Sequence, residues 1–414
     1  MGGDARNWDE ESYRKSILKE REIQSRTVFR TVFAPSSSQN PEYIVVGSSD
    51  GSVAPYSISS CISNHHLWFS KSGNQMNMCA SSSVAEPFCL LKGHNGPAYD
   101  VKFFGDGDDS LLLSCGDDGR IQGWRWNTIL NSGCHAQETD LKPVLGLVNP
   151  QHKGPWGSLS PIPENNALAV DYQDVLFQYL SSTIPRDGGH CRAVFNTIIV
   201  ATGRISWRNR GGLAGGSIFS AAGDSCAYCW DVETSQIKMV FRGHTDYLHC
   251  VVARNSSNQI ITGSEDGSMR IWDCRSGKYV NIIEPKQMKS KEAFPWISCI
   301  GLDSSESWLA CGSGRSLSIW NLPASECISR IETCSPTQDL VFDDNQIIAV
   351  GAEPLLSRFD LNGMTLSQIQ CAPQSAFSIS LHPSGVMAVG GFGGLVDVIS
   401  QFGSHLCTFC CRGH

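Results

Sequence analysis

Two groups of side chains in this 414-residue sequence have the types from which a proton relay is built: His94, Ser114 and Asp118, and His244, Thr262 and Asp266. A histidine between a hydroxyl and a carboxylate activates a nucleophile if a substrate reaches it, and merely satisfies buried polar groups if none does. The spacing argues for the second use. In both groups the hydroxyl lies four residues before the acid and a tryptophan, Trp124 or Trp272, lies six after it. A Gly-His pair precedes the tryptophan by 30 residues in the first group and by 28 in the second. Recurrence at fixed offsets marks a repeated structural unit rather than a catalytic centre. Other chemistry is sparse. Cys226 and Cys229 in CAYC could form half a zinc site, but three positions along a strand point to opposite faces and no second pair matches. His65 and His66 have no further ligands at workable spacing, no glycine-rich phosphate loop leads a strand into a helix, and no GxSxG elbow occurs. No catalytic residue, metal or cofactor is implied.

The elements that carry these residues follow from the same offsets. A strand, a tight Asp-Gly-type turn and a second strand ending in an aromatic residue recur as Asp50 to Tyr56, Asp118 to Trp124, Asp224 to Trp230, Asp266 to Trp272 and Glu353 to Phe359. Gly314 to Trp320 and Gly393 to Ile399 are degenerate rows of the same kind. From Trp230 onward the row ends are 42, 48, 39 and 40 residues apart, the period of a WD-repeat blade. Seven rows predict an all-β, seven-bladed WD-repeat β-propeller, since a lone four-stranded blade cannot bury both its faces. The blades are expected at Val28 to Leu91, Ala98 to Val148, Ala167 to Phe241, 247–283, 296–331, 337–370 and 375–409, each from consecutive strands, with no strand crossing over to lock the ring. In WD-repeat proteins a His, a Ser or Thr, an Asp and a Trp form a hydrogen-bonded tetrad inside the blade. That resemblance makes His94, Ser114, Asp118 and Trp124, and His244, Thr262, Asp266 and Trp272, structural tetrads.

Composition bounds the function. The net charge of -8 argues against a surface built to neutralise phosphates. Charges stand where a secretory signal needs an apolar core, and no apolar run approaches a membrane span, so the chain is expected inside the cell and off membranes. The 18 cysteines are scattered through apolar runs and read as buried free thiols. Three segments break the rhythm. Residues 7–25 predict a short helix capped by Asn7, with Glu10 completing a capping box, packed on the ring or else serving a partner; residues 1–25 form an extension to a propeller over 26–410, with 411–414 as a tail. Residues 59–83 are a Ser- and Asn-rich loop. Residues 174–215 are an unmatched insertion in blade three, read as retained-intron sequence, or else as a loop whose Arg204, Arg208 and Arg210 touch RNA.

The stretches RNWDEESYRKSILKEREIQSRTVFRTVFAP, NPQHKGPWGSLSP, AAGDSCAYCWDVE, GAEPLLSRFDLNG and VDVISQFGSHLCTF resemble the plant form of the THO complex subunit 6 family of WD-repeat proteins. The likeness covers nearly the whole chain and fails at 174–215. It implies a non-enzymatic nuclear subunit, partnered by the other THO subunits, acting in messenger RNA packaging and export and in small-RNA production, with RNA contact indirect or weak. A second resemblance lies in TGSEDGSMRIWDCR, where Trp272, Asp273 and Arg275 are similar to the WDxR box that docks propellers on the adaptor of cullin-4 ubiquitin ligases. It implies instead a substrate receptor in abscisic acid signalling.

Overall fold

The turn acids earn their positions through the backbone. Asp50, Asp118, Asp224 and Asp266 each accept, through Oδ1, the amide two residues on, at 3.1, 3.1, 3.2 and 2.9 Å. The residue between must take a left-handed conformation, supplied by Gly51, Gly119 and Gly267 at φ 79°, 67° and 80°, and in blade three by Ser225 at 63°. The strands on either side then pair antiparallel, which places the residue six beyond the acid at the blade's centre. Tyr56, Trp124, Trp230, Trp272, Phe359 and Ile399 are all buried there, and Trp320 is partly buried.

The computed structural model describes residues 9, 11, 14, 26–36, 39–63, 83–105, 107–132, 141–154, 157–171, 216–285 and 296–411. Among them the strands form seven sheets arranged as a β-propeller. The inner strands, from blade one to blade seven, are Val28–Phe33, Ala98–Phe104, Asn165–Asp171, Leu248–Arg254, Ile297–Leu302, Thr337–Asp343 and Ala376–Leu381. Second strands such as Leu111–Gly116 and Ser217–Ala222 are buried at all six positions, because neighbouring blades cover both their faces. Outer strands such as Thr365–Gln370 face solvent. A six-residue helix, Trp126–Asn131, follows the third strand of blade two. Its Trp126 ring meets Phe103 and Tyr43 edge-on at 5.2 and 5.9 Å, which seals the gap between blades one and two.

Ring closure corrects the expectation that no strand crosses over. Strand Ser83–Ala85 leaves blade one and pairs in parallel with the outer strand His405–Cys411 of blade seven, Phe409 opposite Ser83 and Cys411 opposite Ala85. The expected loop over 59–83 is therefore bounded by structure: residues 58–63 are helical, and only 64–82, with His65 and His66, lie outside the described residues. Cys411 belongs to the last strand and not to a tail. Buried Arg26 donates to the Cys411 carbonyl at 3.0 Å and pairs with Asp50. On the inner side Thr31 donates its amide to Ser378 Oγ at 2.9 Å. The seam is tight: a Cβ on Gly390 would lie 2.4 Å from Val28 Cγ1.

Arg30 crosses the channel itself, with Nε 2.7 Å from Asp100 Oδ1 and Nη1 2.6 Å from Asp339 Oδ2. Each carboxylate also accepts an amide of the next blade, Leu168 at 2.8 Å and Ile379 at 2.9 Å. Near the chain start Glu11 and Arg14 are helical and the Glu11 amide donates to Asp9 Oδ1 at 3.1 Å; the expected caps Asn7 and Glu10 lie outside the described residues. None of the described cysteines is in a disulfide and only Cys334 is exposed. Burial pushes thiols such as Cys89 and Cys371 up to about 12, which leaves them inert.

Residues 172–215 lie outside the described residues, yet the strands flanking them pair to their tips, with Asp171 opposite Ser217. Deleting 174–215 would leave Tyr172, Gln173 and Gly216 as the link, a three-residue hairpin loop with glycine at the position such loops reserve for a left-handed residue. The deletion is expected to leave the fold intact and its stability unchanged or raised, by up to about 2 kcal/mol, because shortening a hairpin tip lowers the cost of loop closure and removes no ladder bonds. A melt showing loss of the folded state would place the segment inside the fold. Peptide mapping of the natural protein separately tests the retained-intron reading, which recovery of the segment's peptides as the only form in vivo would sink.

Candidate interaction site

The two predicted tetrads differ. In blade four, His244 Nδ1 lies 2.8 Å from Asp266 Oδ2, His244 Nε2 lies 2.8 Å from Thr262 Oγ1, and Trp272 Nε1 donates to Thr262 Oγ1 at 2.8 Å. Indole nitrogen only donates, so the Thr262 oxygen accepts from it and its hydroxyl proton points to Nε2. The imidazole proton then sits on Nδ1 and donates to Asp266. Burial pushes the Asp266 carboxyl up, but hydrogen bonds from His244 and Ser268 outweigh it and hold the group well below the usual carboxylate range. Burial lowers the pKa of His244 against the pull of Asp266, which keeps the ring neutral.

In blade two, His94 reaches Asp118 at 3.0 Å and Ser114 at 2.6 Å, but Trp124 donates to the Leu141 carbonyl at 3.0 Å. Trp124 therefore leaves the tetrad, and the set is a triad. Blade three carries a variant not anticipated from the sequence. Trp230 donates to Ser220 at 3.1 Å, and Asp224 is met by the Tyr228 hydroxyl and by His152 at 2.6 Å. Ser220 and Trp230 stand at the same offsets from Asp224 as their counterparts elsewhere. His152 follows no glycine and lies 72 residues upstream of Asp224, so no spacing identifies it.

The relays of blades two and four are sealed, whereas the His152 side chain of blade three is 41% exposed. The side chains of His94 and His244 are 0% exposed, and a proton held there has no path to a bound molecule. Among the described residues no group of three or more His, Cys, Asp or Glu side chains could hold a metal. Cys226 and Cys229 pack into different apolar clusters, as residues of opposite strand faces must. Of the adaptor-box residues, Trp272 is buried and the Asp273 carboxylate is engaged by Ser276 Oγ at 2.7 Å and by the Arg275 amide. Arg275 alone is exposed, on the turn after the third strand.

The WD domain, G-beta repeat family model matches residues 85–125, 235–273 and 288–321. THO complex subunit 6 of Arabidopsis thaliana is 54% identical over 413 residues, covering 99% of this chain and 99% of the relative. The chain belongs to the THO complex subunit 6 family. Its likeness extends to the THO complex subunit 6 homolog of Danio rerio, 28% identical over 90% of this chain and 94% of the relative, and to THO complex subunit 6 of Homo sapiens, 25% identical over 90% of each. The three repeat matches fall on blades two, four and five; in this THO complex subunit 6 family member the rows of blades one, six and seven keep the offset of six but vary its residues.

Two predictions separate the relays. Thr262→Val leaves both Trp272 Nε1 and His244 Nε2 without partners, at about 1 to 3 kcal/mol each, whereas Ser114→Ala strands only His94 Nε2. Chemical denaturation should show roughly twice the penalty at Thr262, and equal penalties would contradict the bond pattern. For His244 the sign follows from its lowered pKa: below about pH 6.5 the unfolded ring takes up a proton that the folded ring resists, so wild-type stability falls with falling pH. A His244→Asn variant lacks that loss. Its penalty should shrink between about pH 7.5 and pH 5 in urea titrations, and a pH-independent penalty would contradict a buried neutral ring.

Proposed function

We propose that this chain is a non-enzymatic interaction subunit of a THO assembly in the nucleus, serving messenger RNA packaging and export and, in plants, small-RNA production. The observation that carries this reading is full-length identity of 54% to THO complex subunit 6 of Arabidopsis thaliana. The sealed histidines of blades two and four support it, since His–Asp pairs spent on internal hydrogen bonding offer rigidity rather than chemistry. In this reading the tetrad residues are structural and the partners are the other THO subunits. RNA is met through those partners, in keeping with the net charge of -8.

A second reading, docking on the cullin-4 ligase adaptor as a substrate receptor in abscisic acid signalling, rests on the exposure of Arg275. Mass spectrometry of what co-purifies from nuclei with the tagged chain tests both. The first reading expects the other THO subunits with wild type and Arg275→Ala alike. Recovery of cullin and its adaptor in their place, lost on Arg275→Ala, would replace it with the second.

A further inference from the structure

Every inner strand of the ring carries a bulge at its second residue. The register slips between Val28 and Arg30, Ala98 and Asp100, Asn165 and Ala167, Leu248 and Cys250, Ile297 and Cys299, Thr337 and Asp339, and Ala376 and Ser378. A bulge leaves its extra residue unpaired and re-aims the side chain. Seven such side chains therefore ring one mouth of the channel, on the face that also bears the Asp-Gly turns. The ring is lopsided. Blades seven, one and two contribute Phe377, Phe29 and Tyr99, with Phe29 edge-on to Tyr99 at 5.4 Å and to Phe377 at 5.9 Å. The other four positions are polar, His249 among them.

Carboxylates stand over the arc from blade two to blade four. Tyr99 donates to Asp117 at 3.1 Å, and His249 lies 3.7 Å from Glu265. Burial, then the charges of Asp117 and Glu164, push the Tyr99 phenol up to about 12. Glu164 is felt at His249 too, together with Glu265 and Asp246, so all four acids share one rim. Asp117, Asp246 and Glu265 are exposed. Below them a cavity of about 230 Å³ continues down the channel. Its Arg30 is neutralised by Asp100 and Asp339, leaving Lys102 as a further cation in its lining. Arg315 stands on the blade-five turn.

We propose that this mouth docks a basic segment of a partner protein, one Lys or Arg side chain lying against Tyr99 and Phe29 and paired with the acids of the rim. Charge complementarity selects that occupant, since aromatic faces attract cations and four carboxylates repel phosphate. The proposal rests on the interaction-subunit reading and names the chemistry of one partner. Its test uses the isolated full chain, so it fails or succeeds independently of which complex co-purifies.

Random dodecapeptides displayed on phage are selected on the immobilised chain, and an enriched sequence is synthesised and titrated. The expected result is Lys or Arg in every enriched family, with affinity reduced about tenfold or more by Tyr99→Ala and by Glu164→Gln with Glu265→Gln, and unchanged by Arg275→Ala on the opposite face. The double charge variant keeps the test sharp should Tyr99→Ala fail to fold. Absence of enrichment, enriched families without a cation, or binding indifferent to the charge variant would overturn the proposal. So would a single-stranded uridine oligonucleotide that binds the chain and is lost on Tyr99→Ala.

Discussion

A ring of sheets depends on its last blade finding its first. Each blade buries its faces only against two neighbours, so an open ring would expose the flanks of blades one and seven together. This chain closes that seam at three depths: Thr31 on Ser378 at the inner strands, Arg26 on Asp50 and the Cys411 carbonyl at the rim, and strand Ser83–Ala85 on the outer edge of blade seven. Arg30 adds a tie across the channel, from blade one to blades two and six. Buried ion pairs set geometry more surely than they add stability. Here the geometry set is the relative position of blades that are distant in the chain.

Given a closed ring, each blade must still satisfy the polar atoms of its own turn. The blades do so differently. Blade four uses the full His–Thr–Trp–Asp relay, blade two a triad, blade three a histidine borrowed from the preceding connection, and blade one the Arg26–Asp50 pair. Where the row ends in Phe359 or Ile399 there is no indole donor to satisfy, and the position is simply apolar. In blades one to four the turn acid is always hydrogen-bonded, by partners that differ from blade to blade, which is why the repeat tolerates so much variation in sequence.

Sequence made legible what is local to a hairpin. The offset of six between turn acid and aromatic, and of four between hydroxyl and acid, are consequences of antiparallel register, so the seven blades and the residues of the blade-four relay could be placed by counting. Contacts made across long stretches of chain could not. Nothing near Ser83–Ala85 says that it will pair with His405–Cys411, and nothing near Trp124 says that the Leu141 carbonyl will accept its hydrogen bond. The ring of bulged residues was hidden for another reason. A bulge is a slip between two strands, and a single strand's alternation does not reveal it.

Whether the closed ring behaves as one cooperative unit is the claim on which the account stands, and native-state hydrogen exchange measures it directly. The inner strands beside the seam, Val28–Phe33 and Ala376–Leu381, should share the slowest exchange class with Leu248–Arg254 on the far side of the ring. Exchange of the seam strands through a separate opening of much lower free energy would contradict closure as the structure draws it.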